Sequence, residues 1–268
     1  MTTTAARART RFRYESDLVD VLQPTFADSV FRRGDSNVTT FREVPAVRGI
    51  PDLVAVRFDS KAIAERGVQE VRCLSSDVEV RVVQALRRTG PIDIQTLTGL
   101  AGFTRDYVRR SVLPRLEQLG WITVTNGLVS LRPGTQPVGR RVVTVEAKLR
   151  DWLRAFNQAR NQLYSADAAY IALDEASAGT ARGQLDAIAQ RGIGVITVNA
   201  DTNRPRVLIR PTRVLDPAKT VVGRELIAER SFDLWRRGER AGQVSPVFGW
   251  FPPTAESVVP IGHSNALL

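Results

Sequence analysis

The run RRVVTVEAKLRDW, residues 140–152, sets a glutamate and a lysine inside an otherwise β-branched, apolar stretch. Valine and threonine in such a run favour a strand, and strand side chains alternate between the two faces of a sheet. Glu146 and Lys148, with only Ala147 between them, therefore emerge on one face. Burying two charges together costs desolvation energy unless they neutralise each other or meet a common ligand. The chain must therefore build a sheet in which this strand has a neighbour suited to both.

The surrounding segments supply such a sheet. YESDLVDVLQPTFADSVF places Leu18, Val21, Leu22, Phe26 and Val30 at near-helical spacing and predicts a helix kinked or broken at Pro24. TTFREVPA and PDLVAVRF read as adjacent strands separated by the turn-forming VRGI, and DSKAIAERG after them reads as a loop. Beyond residue 148, LRDWLRAFNQARNQLYS predicts a helix with Leu149, Trp152, Leu153, Phe156 and Leu163 toward the core. Strand DAAYIAL, a helix around ARGQLDAIAQRG, and strands GVITVNA and RPRVLIRP follow. This alternation predicts an α/β fold, a mixed sheet flanked by helices. A final helix, VVGRELIAERSFDLWRRGER, leads to a tail expected to be irregular, together residues 214–268. Its Leu226, Phe232, Leu234 and Trp235 form an apolar face, read first as core packing and alternatively as a homodimer contact.

Residues 77–133 interrupt the strand pattern with a unit of a different kind. SDVEVRVVQALRRTG has a Ser/Asp start and a Gly stop around an amphipathic repeat, which predicts a capped helix. PIDIQTLTGLAG gives a short second helix and FTRDYVRRSVLPRLEQLGW a longer third one from Thr104. In WITVTNGLVSLRP two apolar runs flank Asn126-Gly127, a strong signal for a tight hairpin. Three helices followed by a hairpin resemble a winged helix-turn-helix domain. The resemblance implies that the third helix enters a DNA groove, with Arg105, Tyr107, Arg109 and Arg110 near its exposed side.

Composition narrows the chemistry. A net charge of +10 over 268 residues favours a polyanionic partner, double-stranded DNA being the first expectation. The basic, polar start, residues 1–13, reads as a flexible arm without the apolar core of a secretory signal, and no apolar run is long enough for a membrane span; a cytoplasmic location is expected. One cysteine, Cys73, and one histidine, His263, argue against zinc fingers, Cys/His nucleophiles and histidine-dependent hydrolysis. Carboxylate-based metal chemistry remains, because hard ions such as Mg2+ take oxygen ligands. Lysine occurs only at positions 61, 148 and 219, which makes Lys148 stand out from the arginine-rich background.

Helix, strand, strand with Pro51-Asp52, strand with Glu146-x-Lys148, helix, strand is an order that resembles the PD-(D/E)XK nuclease superfamily, and within it the Holliday-junction resolvases and restriction-type enzymes. NQARNQLY on the following helix adds a looser similarity. The resemblance covers Tyr14 to about Ala172 with residues 77–133 excepted, and divides the chain into a discontinuous core, residues 14–76 and 134–213, and an insertion. It implies a Mg2+-dependent DNA endonuclease, with Mn2+ able to substitute. Asp52 and Glu146 would hold the ion, and Lys148 would orient or help deprotonate the attacking water. Glu15 on the first helix would complete the acids, with Glu43 as the competing candidate and Gln158 a candidate phosphate contact. Asp52 and Glu146 lie farther apart in sequence than is usual in that superfamily, a departure that the inserted unit accounts for. Two other readings stay open: a non-catalytic DNA-binding or regulatory protein on a nuclease-like scaffold, and a nuclease subunit that cuts only with a protein partner in a defence or mobile-element system.

Overall fold

The computed structural model describes residues 11–31, 35, 37–212 and 217–242. Most of the expected basic arm, and the expected irregular tail with His263, lie outside the described residues. Helix α1 (Glu15–Val30) is followed by strands β1 (Val38–Arg42) and β2 (Leu53–Phe58) and helix α2 (Ser60–Val68). Helix α3 (Asp77–Thr89), strand β3 (Ile92–Asp93) and helix α4 (Ile94–Ala101) come next. One helical run then comprises α5 (Arg105–Tyr107), a π-helical stretch (Val108–Val112) and α6 (Leu113–Gln118), ahead of β4 (Ile122–Thr125) and β5 (Leu128–Leu131). Strand β6 (Gly139–Lys148), helix α7 (Trp152–Gln162), β7 (Ala168–Asp174), α8 (Gly179–Arg182) and α9 (Leu185–Gln190) follow. Strands β8 (Ile193–Asn199) and β9 (Arg204–Ile209) and helix α10 (Pro217–Arg236) complete the described chain.

The architecture is α/β: a six-stranded mixed sheet in the order β1-β2-β6-β7-β8-β9, flanked by helices. Pairing is antiparallel except at β6–β7 and β7–β8, where α7 and then α8 and α9 provide the crossovers that parallel neighbours need. Alternation sorts the strand residues between two cores. Val143, Val145 and Ala147 pack with Leu18, Leu22 and Phe26 of α1 on one face. On the other, Ala169, Ile171 and Leu173 meet α7 to α9, while Val54, Val56 and Val142 meet Ile227, Ala228 and Phe232 of α10. Gly139 makes the α10 contact possible, since a Cβ there would sit 2.5 Å from the Ala228 Cβ.

The chain leaves the sheet at Phe58 and returns at Gly139, and these two residues are partners in the β2–β6 register. The Asp59 N–H donates to the Val138 carbonyl at 2.7 Å, closing the stem of the excursion. Within it, α3, α4, the α5–α6 run and the β4–β5 hairpin pack around Val83, Leu97, Val112, Leu116 and Trp121, a core that Leu226 of α10 also joins. Ser76 and Glu79 form the capping box of α3 and Gly90 ends it at positive φ. Asn126 and Gly127 both take positive φ between Thr125 and its partner Leu128, as a two-residue type I′ hairpin requires. The small strand β3, unexpected from sequence, joins this hairpin as a third strand. The π-helical stretch has a local cause: Pro114 has no N–H for the Arg110 carbonyl, so the ladder shifts register there.

The structure refines two expectations and corrects a third. Helix α1 runs unbroken through Pro24, because Leu22 and Phe26 on either side are fully buried and their packing offsets the loss of about 3 kcal/mol that an interior proline brings. The segment read as a loop after β2 is helix α2, capped by Asp59, whose carboxylate accepts from the Lys61 and Ala62 N–H groups. Trp152, Phe156 and Leu163 pack partly buried against the core as expected, and Leu149 does so on the other face, but the fully buried line of α7 is Ala155, Ala159 and Gln162, and Leu153 is 54% exposed. The small residues let α7 lie close on the sheet. Of the α10 face, Leu226, Phe232 and Leu234 are consumed by core packing, whereas Trp235 stays 40% exposed.

Arg66 and Glu229 bind the excursion to α10. Their side chains are 1% and 0% exposed and meet through two hydrogen bonds of 2.6 and 2.8 Å, with the Leu74 N–H also donating to Glu229. The guanidinium lies against the Trp121 and Phe232 rings. Removing one partner strands the other charge in the interior, and Glu229→Ala is expected to lose about 3–5 kcal/mol. In urea unfolding, Arg66→Met/Glu229→Leu should lose far less than the single change. A single variant within about 1 kcal/mol of wild type would contradict this role for the pair.

Candidate functional site

Asp52 immediately precedes β2, and the β2–β6 register Leu53↔Val145 continues to set it opposite Glu146. Its Oδ2 accepts the Ala147 N–H at 2.6 Å, so the carboxylate is held against the strand that carries the glutamate. Glu146 is 2% exposed and Lys148 8% exposed. The Lys148 Nζ lies 3.3 Å from Glu146 Oε1 and 2.9 Å from Glu15 Oε2, and donates to the Ala147 carbonyl at 2.9 Å. Glu15 reaches this point from the first turn of α1. Four residues, one just ahead of β2, two on β6 and one on α1, thus form one electrostatic cluster.

Glu43, the competing acid, lies just past β1 at φ +50° and is exposed. It acts on Asp52 only through its charge, while its N–H donates to the Asp52 carbonyl at 3.3 Å. Gln158 is half-buried with no partner for its Oε1. One turn later Gln162, not singled out from sequence, is 2% exposed and donates from Nε2 to Glu146 Oε2 at 2.8 Å. Its position in the Ala155, Ala159, Gln162 stripe was the available signal: a polar residue on the most buried line of a helix needs a polar partner. The loop ahead of Asp52 is pinned to the end of α7, with the Arg48 guanidinium 3.9 Å from the centre of the Tyr164 ring.

Charge in the cluster is unbalanced. Asp52, Glu146 and Glu15 all act on the single Lys148 ammonium. Burial, then the Asp52 charge, pushes the Glu146 carboxyl up to about 7, even though Lys148 and Gln162 pull the other way. Burial also raises Asp52, against the opposing pull of the Ala147 N–H and Lys148. For Lys148 burial works against the charge, but the Glu15 contact and the three carboxylates outweigh it and hold the ammonium above its ordinary value. Lys148 is therefore a fixed positive donor in this arrangement and not a base poised near neutrality.

Carboxylates carrying more negative charge than one lysine neutralises are oxygen donors of the kind that suits a hard divalent cation. Among the described residues no group of three or more His, Cys, Asp or Glu side chains is arranged to hold a metal ion by itself. Glu15 and Glu146 both contact Lys148, and Asp52 and Glu146, facing each other across β2 and β6, are the two carboxylates that strand pairing brings opposite. Mg2+ usually binds through one or two carboxylates and keeps several waters or substrate oxygens, which is compatible with that pair.

The exposed arginines form a separate surface. Arg105, Tyr107, Arg109 and Arg110 are all solvent-exposed along the α5–α6 run, while Val108 and Val112 on its other side enter the core. No family model, curated protein or solved structure matches the chain. No described helix is long and apolar enough to cross a membrane.

The cluster makes stability depend on pH. Folding raises the Glu146 pKa from 4.5 to about 7, so the native state holds this proton more tightly than the unfolded chain does. The stability it contributes is complete below 4.5 and is lost as pH rises to about 7. In chelator-treated protein, melting temperatures are expected to fall across that window more steeply for wild type than for Glu146→Gln. Equal slopes would contradict the burial of this carboxylate beside Asp52.

Proposed function

We propose that the protein is a metal-dependent DNA endonuclease of the PD-(D/E)XK type, in which an inserted winged helix positions the duplex. The observation that carries this reading is the pairing of β2 with β6, which brings Asp52 opposite Glu146 and Lys148 across the long excursion. Helix, three antiparallel strands, helix and a parallel strand are also the order the resemblance calls for.

In this reading Asp52 and Glu146 hold the Mg2+, and a bound divalent cation supplies polarisation of the phosphate and a lower pKa for water. The protein groups do the rest. Gln162 fixes one Glu146 oxygen by hydrogen bonding, and Glu15 restrains the Lys148 ammonium at the mouth of the site. Held there as a charged donor, Lys148 steadies the negative charge that develops on the phosphate as water attacks. Glu15 is thus proposed as the positioning partner of Lys148 rather than a third ligand. Arg105, Tyr107, Arg109 and Arg110 face outward from the α5–α6 run, where they meet phosphates or base edges. The domain reading follows: residues 77–133 act as the DNA reader on a discontinuous nuclease core.

Purified wild type is expected to cut DNA with Mg2+ or Mn2+, and Asp52→Ala, Glu146→Ala and Lys148→Ala to abolish cutting while duplex affinity stays within a few-fold. Wild type that binds DNA but never cuts linear, supercoiled or branched substrates would overturn the enzyme reading in favour of a binding scaffold; a protein partner co-purified from the native host that restores cutting would make it a subunit. Neutralising Arg109 and Arg110 together should reduce the slope of log affinity against log salt by about 2, one for each phosphate no longer neutralised. An unchanged slope would remove that helix from the interface.

A further inference from the structure

A cleft apart from the carboxylate cluster lies between α10, the chain joining α2 to α3, the α6 end of the helical run and the loop from β1 to β2. Its volume is about 840 Å³, which is in the range of small-molecule sites. Five arginines line it, Arg72, Arg115, Arg230, Arg236 and Arg237, against a single carboxylate, Asp233. Arg237 is paired with Asp233 and Glu239, and Arg115 lies 3.8 Å from Glu79. Among the described residues no carboxylate pairs with Arg72, Arg230 or Arg236.

Arg72, Arg230 and Arg236, from two separate chain segments, line one concavity, and of the three Arg230 also feels the charges of Asp77 and Glu79. The lining carries more guanidinium than carboxylate groups, an excess that a polyvalent anion relieves. Arg230 is set in place from both sides, donating to the Pro45 and Ser75 carbonyls at 2.8 Å each. Those two bonds tie the wall of the cleft together and leave Arg72 and Arg236, both exposed, free to close on a ligand. Planar guanidinium forks match the spaced oxygens of phosphate. Leu74, Leu119 and Leu234 give the floor an apolar character.

We propose that this cleft binds a phosphate-bearing ligand. The shared chemistry has two sources: the backbone of DNA whose scissile stretch lies at Asp52 and Glu146, which rests on the endonuclease reading, or a free nucleotide, which does not. Ile50, which lines the cleft, lies two residues before Asp52 in the chain.

The test is equilibrium binding by the full chain in chelator, in a Glu146→Gln background, so that the presence or absence of hydrolysis does not affect the result. Probes are a labelled duplex, ATP, inorganic tripolyphosphate and, as a control, polyglutamate. Arg72→Gln/Arg236→Gln is compared with Arg72→Lys/Arg236→Lys, which keeps the charge; both positions are exposed, and melting temperatures verify folding. The Gln pair is expected to bind tripolyphosphate at least tenfold more weakly and the Lys pair to recover most of that loss. A duplex salt slope smaller by about 2 in the Gln pair assigns the site to the DNA backbone. Loss of ATP binding with an unchanged duplex slope assigns it to a free nucleotide. The proposal is overturned if tripolyphosphate fails to bind, if the Gln pair binds it as wild type does, or if polyglutamate binds more tightly.

Discussion

The hydrogen-bonded pairing of β2 with β6 underlies every other feature of the molecule. It joins residues far apart in sequence, and the Asp52 carboxylate itself contributes by capping the Ala147 N–H across a separation of 95 residues. The long excursion between them is tolerated because its ends are already partners in the sheet, Phe58 with Gly139. Loop-closure entropy grows only logarithmically, by about 0.6 kcal/mol for each doubling of length. The excursion buries a core of its side chains together with Leu226 of α10, and the Arg66–Glu229 pair adds a second tie to that helix.

The same pairing concentrates charge where the fold can least accommodate it. Two carboxylates and an ammonium are brought into a site where Glu146 is almost wholly buried. Desolvation and the proximity of Asp52 then weaken Glu146 as an anion, while Lys148 and Gln162 restrain it. Asp52 adds a second carboxylate beside the Glu146–Lys148 pair, and burial drives its own pKa upward. The local cost is the kind that proteins accept at sites of function, and a divalent cation would remove it.

Much of this was legible from residue pattern. The Glu146-Ala147-Lys148 alternation held because sheet geometry is local: Ala147 faces α1 while its neighbours face away. Asn126-Gly127 named its hairpin for a similar reason, the two positive φ angles being a local demand. What stayed hidden depends on tertiary packing. Helix α2 buries an arginine, Arg66, whose partner Glu229 is 163 residues away, so its core-facing side does not look apolar. Helix α7 turns alanines and Gln162 to the sheet because closeness, not side-chain size, governs that contact, and Gln162 has meaning only once Glu146 is seen beneath it. The Glu15 contact with Lys148 likewise emerges only when the start of α1 meets the end of β6.

If the molecule is a metal-dependent nuclease, Asp52 and Glu146 must share one divalent cation. A crystal soaked in Mn2+ and measured at the manganese absorption edge decides the matter. An anomalous peak is expected between the two carboxylates, with Lys148 beside it and Gln162 still bonded to Glu146. A peak only elsewhere, or carboxylates too far apart to meet at a single ion, would refute the shared site.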